Sequence, residues 1–253
     1  DGIRDHCVTG VQTCALPIFN MLAGDILCNR HLSTKPADGW WNSARRTAAL
    51  QAAALLLCME WLLWTDSKRV LPAPARTLGV LCFIGLCLML LHRQRPSLED
   101  VGLRPVRWNG GWASLTAFTL MSILALASIG WACSTLHRPG NLMHWLGRNW
   151  YLEGAQQLLL QVLLLPRLIV LCGPGRKATA AAATAFSLLH APNLPLMTLT
   201  LAAAGFWCTW FQSHRNLLAL WLSHFLLGAA AFCCLDGPAA ASLRVGVAYF
   251  THR

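Results

Sequence analysis

Long apolar runs, interrupted by short polar or proline-bearing stretches, set the pattern of this chain. A membrane-spanning helix needs about 20 largely apolar residues at a rise of about 1.5 Å each. Thr47–Trp64 is the first run that approaches this length, and the polar TDSKR stretch ends it. Thr77–His92 is the second, followed by the loop RQRPSLEDVGLRPVRWNGG. Trp112–Leu136, Trp150–Leu171, the short run Ala178–His190 that ends at Pro192 and Pro195, Pro195–Phe211 and Leu217–Cys234 complete a set of about seven. The pattern predicts an all-α fold, a multi-pass transmembrane helical bundle. No internal repeat is visible, so nothing supports the repeat symmetry of a small transporter.

Composition agrees. Of 253 residues, 56% are hydrophobic and 12% charged, against about 25% charged in soluble domains. That leaves too little polar surface to cover a water-exposed fold. Twelve Trp against two Tyr suit a lipid-embedded chain, because indole rings favour the membrane interface. The net charge of +10 first suggests nucleic acid. The Lys and Arg lie between the apolar runs rather than in one patch, so they are read as topology signals and anionic-lipid contacts, with no nucleic-acid partner. With the N-terminus cytoplasmic, the inner segments hold twelve Lys and Arg and the outer ones seven. This favours a cytoplasmic N-terminus in an integral membrane protein, with the lipid bilayer as its first partner; a bacterial inner (plasma) membrane is its expected location. The eleven Cys form no CxxC pair, and most lie in apolar stretches as small hydrophobes.

The organisation follows. Residues 1–20 contain VTGVQTCALPI (Val8–Ile18), which resembles a translated sequencing-library adapter and is set aside from fold reasoning. Residues 21–46 are expected to form a cytoplasmic N-terminal segment and 47–92 the first two membrane helices. Residues 97–236 are expected to form the functional core, and 237–253 a C-terminal tail.

Ionisable and amide groups at bilayer depth are costly and usually face a cavity or a partner. The fourth run carries Glu153, Gln156, Gln157 and Gln161, the fifth ends with His190 and Asn193, and the seventh carries Ser223 and His224. Glu153, Gln157 and Gln161 are spaced i, i+4, i+8 and form one helical stripe, with Gln156 beside it. That stripe is expected to face other helices, with His190 and His224 as its polar counterparts. It forms either an interhelical hydrogen-bond seam, at about 0.6 kcal/mol per bond, or a functional cavity. Arg167, after Pro166, is expected to snorkel at a helix end. Glu60 in the first helix is read as a packing residue, and Trp207, Trp210 and Trp221 as interfacial or packing residues.

Phe186, His190 and Asn193 in the order FxxxHxxN, with His224 34 residues after His190, resemble the CPBP intramembrane proteases. These include the CAAX prenyl endoproteases, bacteriocin-processing and self-immunity proteins, and lysostaphin-resistance-like proteins. The stretch SLEDVGLR (Ser97–Arg104) also looks like a segment that precedes their core, so the resemblance covers roughly residues 97–228. The family's EExxxR motif falls on Gln156, Gln157 and Gln161, giving QQxxxQ. Its FxxxH motif is intact at Phe186 and His190. Its third motif keeps His224, but the polar residue four positions on is Gly228.

The resemblance implies an intramembrane endopeptidase, a hydrolase acting on peptide or lipoprotein substrates in the membrane. In the family a buried Glu is thought to activate water, with the two His positioning water and oxyanion or binding a metal. A glutamine amide has no group that titrates near neutrality and cannot serve as base. Glu153 lies one turn before Gln157, about 5–6 Å from it at the Cβ level, and is the candidate replacement. On this reading His190 and His224 hold water or oxyanion, and Gln156 and Gln157 orient substrate. Gln161, Asn193, Phe186 and Ser223 line the cavity. The competing reading places Glu153 among lipid headgroups, stabilised by the helix dipole, and makes the protein a catalytically degenerate pseudoenzyme, a membrane binding or immunity module. A divalent metal such as zinc on His190 and His224 would have two good ligands, or three with Glu153, where catalytic zinc usually has three. HExxH is absent, and a tightly held zinc is not expected. A haem with His190 and His224 as axial ligands is a third alternative.

Overall fold

The structure is a computed structural model that describes residues 38–65, 70–103, 111–136, 142–235 and 243–250. The adapter-like residues 1–20 and the greater part of the expected cytoplasmic segment lie outside the described residues, as does much of the C-terminal tail.

Every regular element among the described residues is helical. Helix α1 spans Asp38–Thr65, α2 Ala73–Gln94, the single turn α3 Leu98–Val101, and α4 Gly111–Ala132. Helix α5, Leu142–Gln157, continues through a π-helical stretch, Leu158–Leu164, into α6, Leu165–Cys172. Then follow α7 (Arg176–Leu188), α8 (Leu194–His214), α9 (Leu217–Cys234) and a short 3-10 turn, Gly246–Tyr249. Six helices are long and apolar enough to cross a membrane: Asn42–Thr65, α2, α4, Trp145–Cys172, α8 and α9. The chain is an integral membrane protein.

Two expectations shift. Ala178–His190 is not a full-length span: α7 has 13 residues, about 20 Å of helix against a hydrocarbon core of about 30 Å. Trp150 does not begin the fourth span, because that helix already runs from Leu142.

The span Trp145–Cys172 is the centre of the bundle: 67% of its most apolar window is buried, against at most 44% in the other spans. Leu159–Leu165 is buried without a break, as expected of a helix surrounded by others. The π-helical stretch ends just before Pro166, which has no N–H and whose ring crowds the carbonyl four residues back. The Leu165 N–H reaches back five residues to the Leu160 carbonyl.

Around this axis, α7 and α8 form a close antiparallel pair. Ala178, Ala182 and Ala183 on α7 and Ala204 and Cys208 on α8 are all buried, and such small side chains let helix backbones approach. Helix α9 packs on α4 and α5, and α1 packs on α2 and α6.

The SLEDVG segment fixes the start of α9. Ser97 and Asp100 form a reciprocal capping box around α3, and Gly102 closes the turn at φ 76°, a conformation that favours glycine. The Leu217 N–H donates to the Gly102 carbonyl at 3.0 Å. A Cβ on Gly102 would sit 2.7 Å from that nitrogen. At this junction burial lowers the pKa of Arg215 from its ordinary value, and Asp100 opposes the shift.

Candidate active site

Helix α5 and the π-helical stretch that continues it contribute the polar stripe, and all three of its predicted members are buried: Glu153 at 8% exposure and Gln157 and Gln161 at 0%. Glu153 does not sit among headgroups. Its carboxylate Oε2 lies 2.6 Å from His224 Nε2 on α9. On the other side of that ring, Gln157 Nε2 lies 3.3 Å from His224 Nδ1. Gln161 Nε2 donates to Gln157 Oε1 at 3.2 Å. The four side chains form one line: Gln161, Gln157, His224, Glu153.

The line has a direction. Beside a carboxylate, which only accepts, the neutral imidazole carries its proton on Nε2 and leaves Nδ1 to accept from the Gln157 amide. The contact with Glu153 is an approach at ion-pair distance rather than a well-aligned hydrogen bond, since Oε2 finds no partner of hydrogen-bonding geometry.

His190 sits in the turn after α7. Its Nδ1 is 2.8 Å from the Phe186 carbonyl, which can only accept, so Nδ1 carries the proton and Nε2 keeps a free lone pair. Phe186 links the two histidines. Its ring centroid is 5.0 Å from that of His190 and 6.0 Å from that of His224. Trp207 lies on His224 at 4.5 Å. The FxxxH spacing therefore places the apolar ring one turn before the histidine, where it meets both imidazoles.

The remaining predicted residues separate. Gln156 is half-buried, and among the described residues no hydrogen bond joins it to either histidine. Ser223 faces α4 and α8, sharing a 2.8 Å hydrogen bond with Thr119 and accepting from Trp207 Nε1 at 3.2 Å. Asn193 caps α8 by accepting from the Leu196 N–H at 3.2 Å. Its amide also donates to the Arg244 carbonyl at 3.1 Å, which ties the loop after His190 to residues 243–250.

Arg167 does not snorkel. It is 3% exposed, donates through Nη1 to the Leu163 carbonyl, and donates through Nε to Gln51 Oε1 of α1 at 3.0 Å. Pro166 and the π-helical stretch turn it toward α1, away from the lipid. Glu60 accepts from Trp64 Nε1 at 3.0 Å within α1. Trp207 and Trp210 are buried packing residues, and Trp221 Nε1 donates to the Trp150 carbonyl at 2.7 Å.

A zinc site does not fit this geometry. Both nitrogens of His224 face protein partners, and among the described residues no three His, Cys, Asp or Glu side chains converge on one metal position. The same engagement of His224 leaves no nitrogen for an axial haem bond.

One residue escaped the sequence reading as a positive feature. Gly228 lies one turn after His224, and a Cβ built there would be 2.6 Å from Glu153 Oε1. Its only sequence signal was the absence of a polar side chain in the third motif.

Residues 154–230 match the family model described as type II CAAX prenyl endopeptidase Rce1-like. The match takes in Gln156, Gln157, Gln161, Phe186, His190, His224 and Gly228. That match supports the resemblance of this core to the CPBP family. This CPBP match covers about three tenths of the chain and begins one residue after Glu153. No curated protein and no solved structure matches the chain.

Proposed function

We propose that the protein is a CPBP-type intramembrane endopeptidase in which Glu153, paired with His224, takes the place of the family's glutamate. The observation that carries this reading is the buried 2.6 Å approach of Glu153 Oε2 to His224 Nε2. A carboxylate held in place by an imidazole can take a proton from a water within its hydrogen-bonding reach, the arrangement general base catalysis uses.

In the proposed reaction, a water accepted by the free His190 Nε2 attacks the scissile carbonyl as Glu153 takes its proton. The new C–O bond gives a tetrahedral intermediate. Glu153, now a neutral acid, stays beside His224, and the Gln157 amide fixes the ring. Collapse breaks the C–N bond, and the proton passes from the Glu153–His224 pair to the leaving amine. The products are a carboxylate and an ammonium group, with one water consumed. The substrate class is a membrane-delivered peptide or lipoprotein terminus. The Lys and Arg bias supports a cytoplasmic N-terminus in a bacterial inner membrane.

The test is cleavage of a lipidated peptide library by purified protein in bilayers. Glu153→Gln should abolish turnover, and unchanged turnover would remove the assignment. A second reading, a binding or immunity module, is favoured by one feature: both His224 nitrogens are already engaged by protein groups. Absence of turnover together with saturable capture of a membrane peptide supports that reading.

A further inference from the structure

Helix α9 passes α5 at Gly228 with almost no room to spare. A side chain as small as a methyl there would stand 2.6 Å from Glu153 Oε1, 3.4 Å from the carboxyl carbon and 3.7 Å from Trp145 Cη2. Real Cβ atoms do not approach oxygen so closely, so one group must move. The obstructed atom is the tip of a flexible side chain, not backbone, and the carboxylate is what yields. The Trp145 ring on the other side of the methyl is itself stacked on Phe232, at 4.7 Å between centroids and 10° between planes.

We propose that Gly228 is a positioning residue: its missing side chain is the seat that lets the Glu153 carboxylate lie across His224. The inference rests on the reading of the Glu153–His224 pair as the centre of the site. Glycine inside a helix costs about 0.5–1 kcal/mol relative to alanine. With φ in the ordinary helical range, nothing in its own backbone demands glycine, and the neighbouring carboxylate supplies the reason. His224 and Gly228 stand i and i+4 on one face of α9, so the helix face that offers the imidazole also clears the space beside it. Glu153 enters that space from α5, with one carboxylate oxygen on the imidazole and the other over the glycine.

The experiment uses full-length protein in lipid bilayers, with ¹⁵N-labelled histidine and the ring N–H proton of His224 as the readout. A carboxylate 2.6 Å from Nε2 polarises the N–H and moves that proton downfield of its position in an imidazole without such a neighbour. The signal is expected in the native protein and should be lost on Gly228→Ala, as on Glu153→Gln. In a Glu153→Ala background, adding Gly228→Ala should move the ring signals no further, because the group that the methyl displaces is already gone. A downfield signal that survives Gly228→Ala, or a Gly228→Ala effect of equal size in both backgrounds, overturns the proposal.

Should Gly228→Ala fail to fold, Glu153→Ala with Gly228→Ala decides. With the carboxylate gone, the new methyl meets nothing nearer than Trp145 at 3.7 Å, so that double variant is expected to fold. Its failure overturns the proposal. The readout reports the contact without requiring turnover. An inactive protein with the predicted signals therefore counts against the protease reading and leaves the seat intact.

Discussion

Replacing Gln157 by leucine breaks the polar line at its middle. Gln157 is fully buried and serves two neighbours: it accepts from Gln161 Nε2 and donates to His224 Nδ1. Leucine leaves His224 Nδ1 without its donor and takes the acceptor from one Gln161 N–H, while the Gln161 amide keeps Cys208 as its other partner. An orphaned buried donor or acceptor costs about 1–3 kcal/mol, so two cost about 2–6 kcal/mol. Hydrogen bonds between helices within bilayers average only about 0.6 kcal/mol, because the unfolded state also finds partners. This places the expected loss near the lower end, about 2 kcal/mol.

The sign of the next step is the sharper prediction. Gln161 Oε1 already lacks a partner in the native protein. Changing Gln161 to leucine as well removes both that acceptor and the newly orphaned donor. The Gln157→Leu/Gln161→Leu protein should therefore be more stable than Gln157→Leu alone, by about 1 kcal/mol. Reversible unfolding in bicelles, followed by tryptophan fluorescence, measures both. A double variant less stable than the single one would refute the reasoning, since the amides would then act through volume and not through pairing.

Other outcomes follow from the same contacts. Phe186→Ala should destabilise the protein by about 3–5 kcal/mol, because the ring is 2% exposed and packs on both histidines; thermal unfolding checks it. Asn193→Ala removes the α8 cap at a cost of about 0.5–2 kcal/mol and unties Arg244, so hydrogen exchange should accelerate within residues 243–250. Gln51→Leu should lower stability by about 1–3 kcal/mol by removing the acceptor of the buried Arg167 Nε. Arg167→Met in the Gln51→Leu background should restore part of that loss, because the orphaned buried charge is gone.

The polar stripe was legible because helical periodicity alone places residues 153, 157 and 161 on one face, and all three are buried. Six of the seven apolar runs likewise mark spans, because lipid demands length, and the short seventh run forms the 13-residue α7. Pairing was not legible at the level of which partner. Periodicity cannot choose between His190 and His224, and the choice fell on His224 because α9, and not the His190 turn, packs along α5. Asn193 read as a cavity residue because its polarity was visible, while its use as a cap depends on the turn around it. Arg167 read as an interfacial residue because the π-helical stretch, which shifts every later residue around the axis, leaves no mark in the spacing. Gly228 read as a loss, since a sequence displays a missing side chain but not the group that fills its place.

The most direct test of the account is the distance between the Glu153 carboxyl carbon and His224 Nε2 in lipid bilayers. Rotational-echo ¹³C–¹⁵N dephasing on selectively labelled protein measures it. The account predicts strong dephasing, as an oxygen–nitrogen separation of 2.6 Å requires, and its collapse on Glu153→Ala. Dephasing no greater than in the Glu153→Ala control would place the carboxylate away from the imidazole and contradict the account.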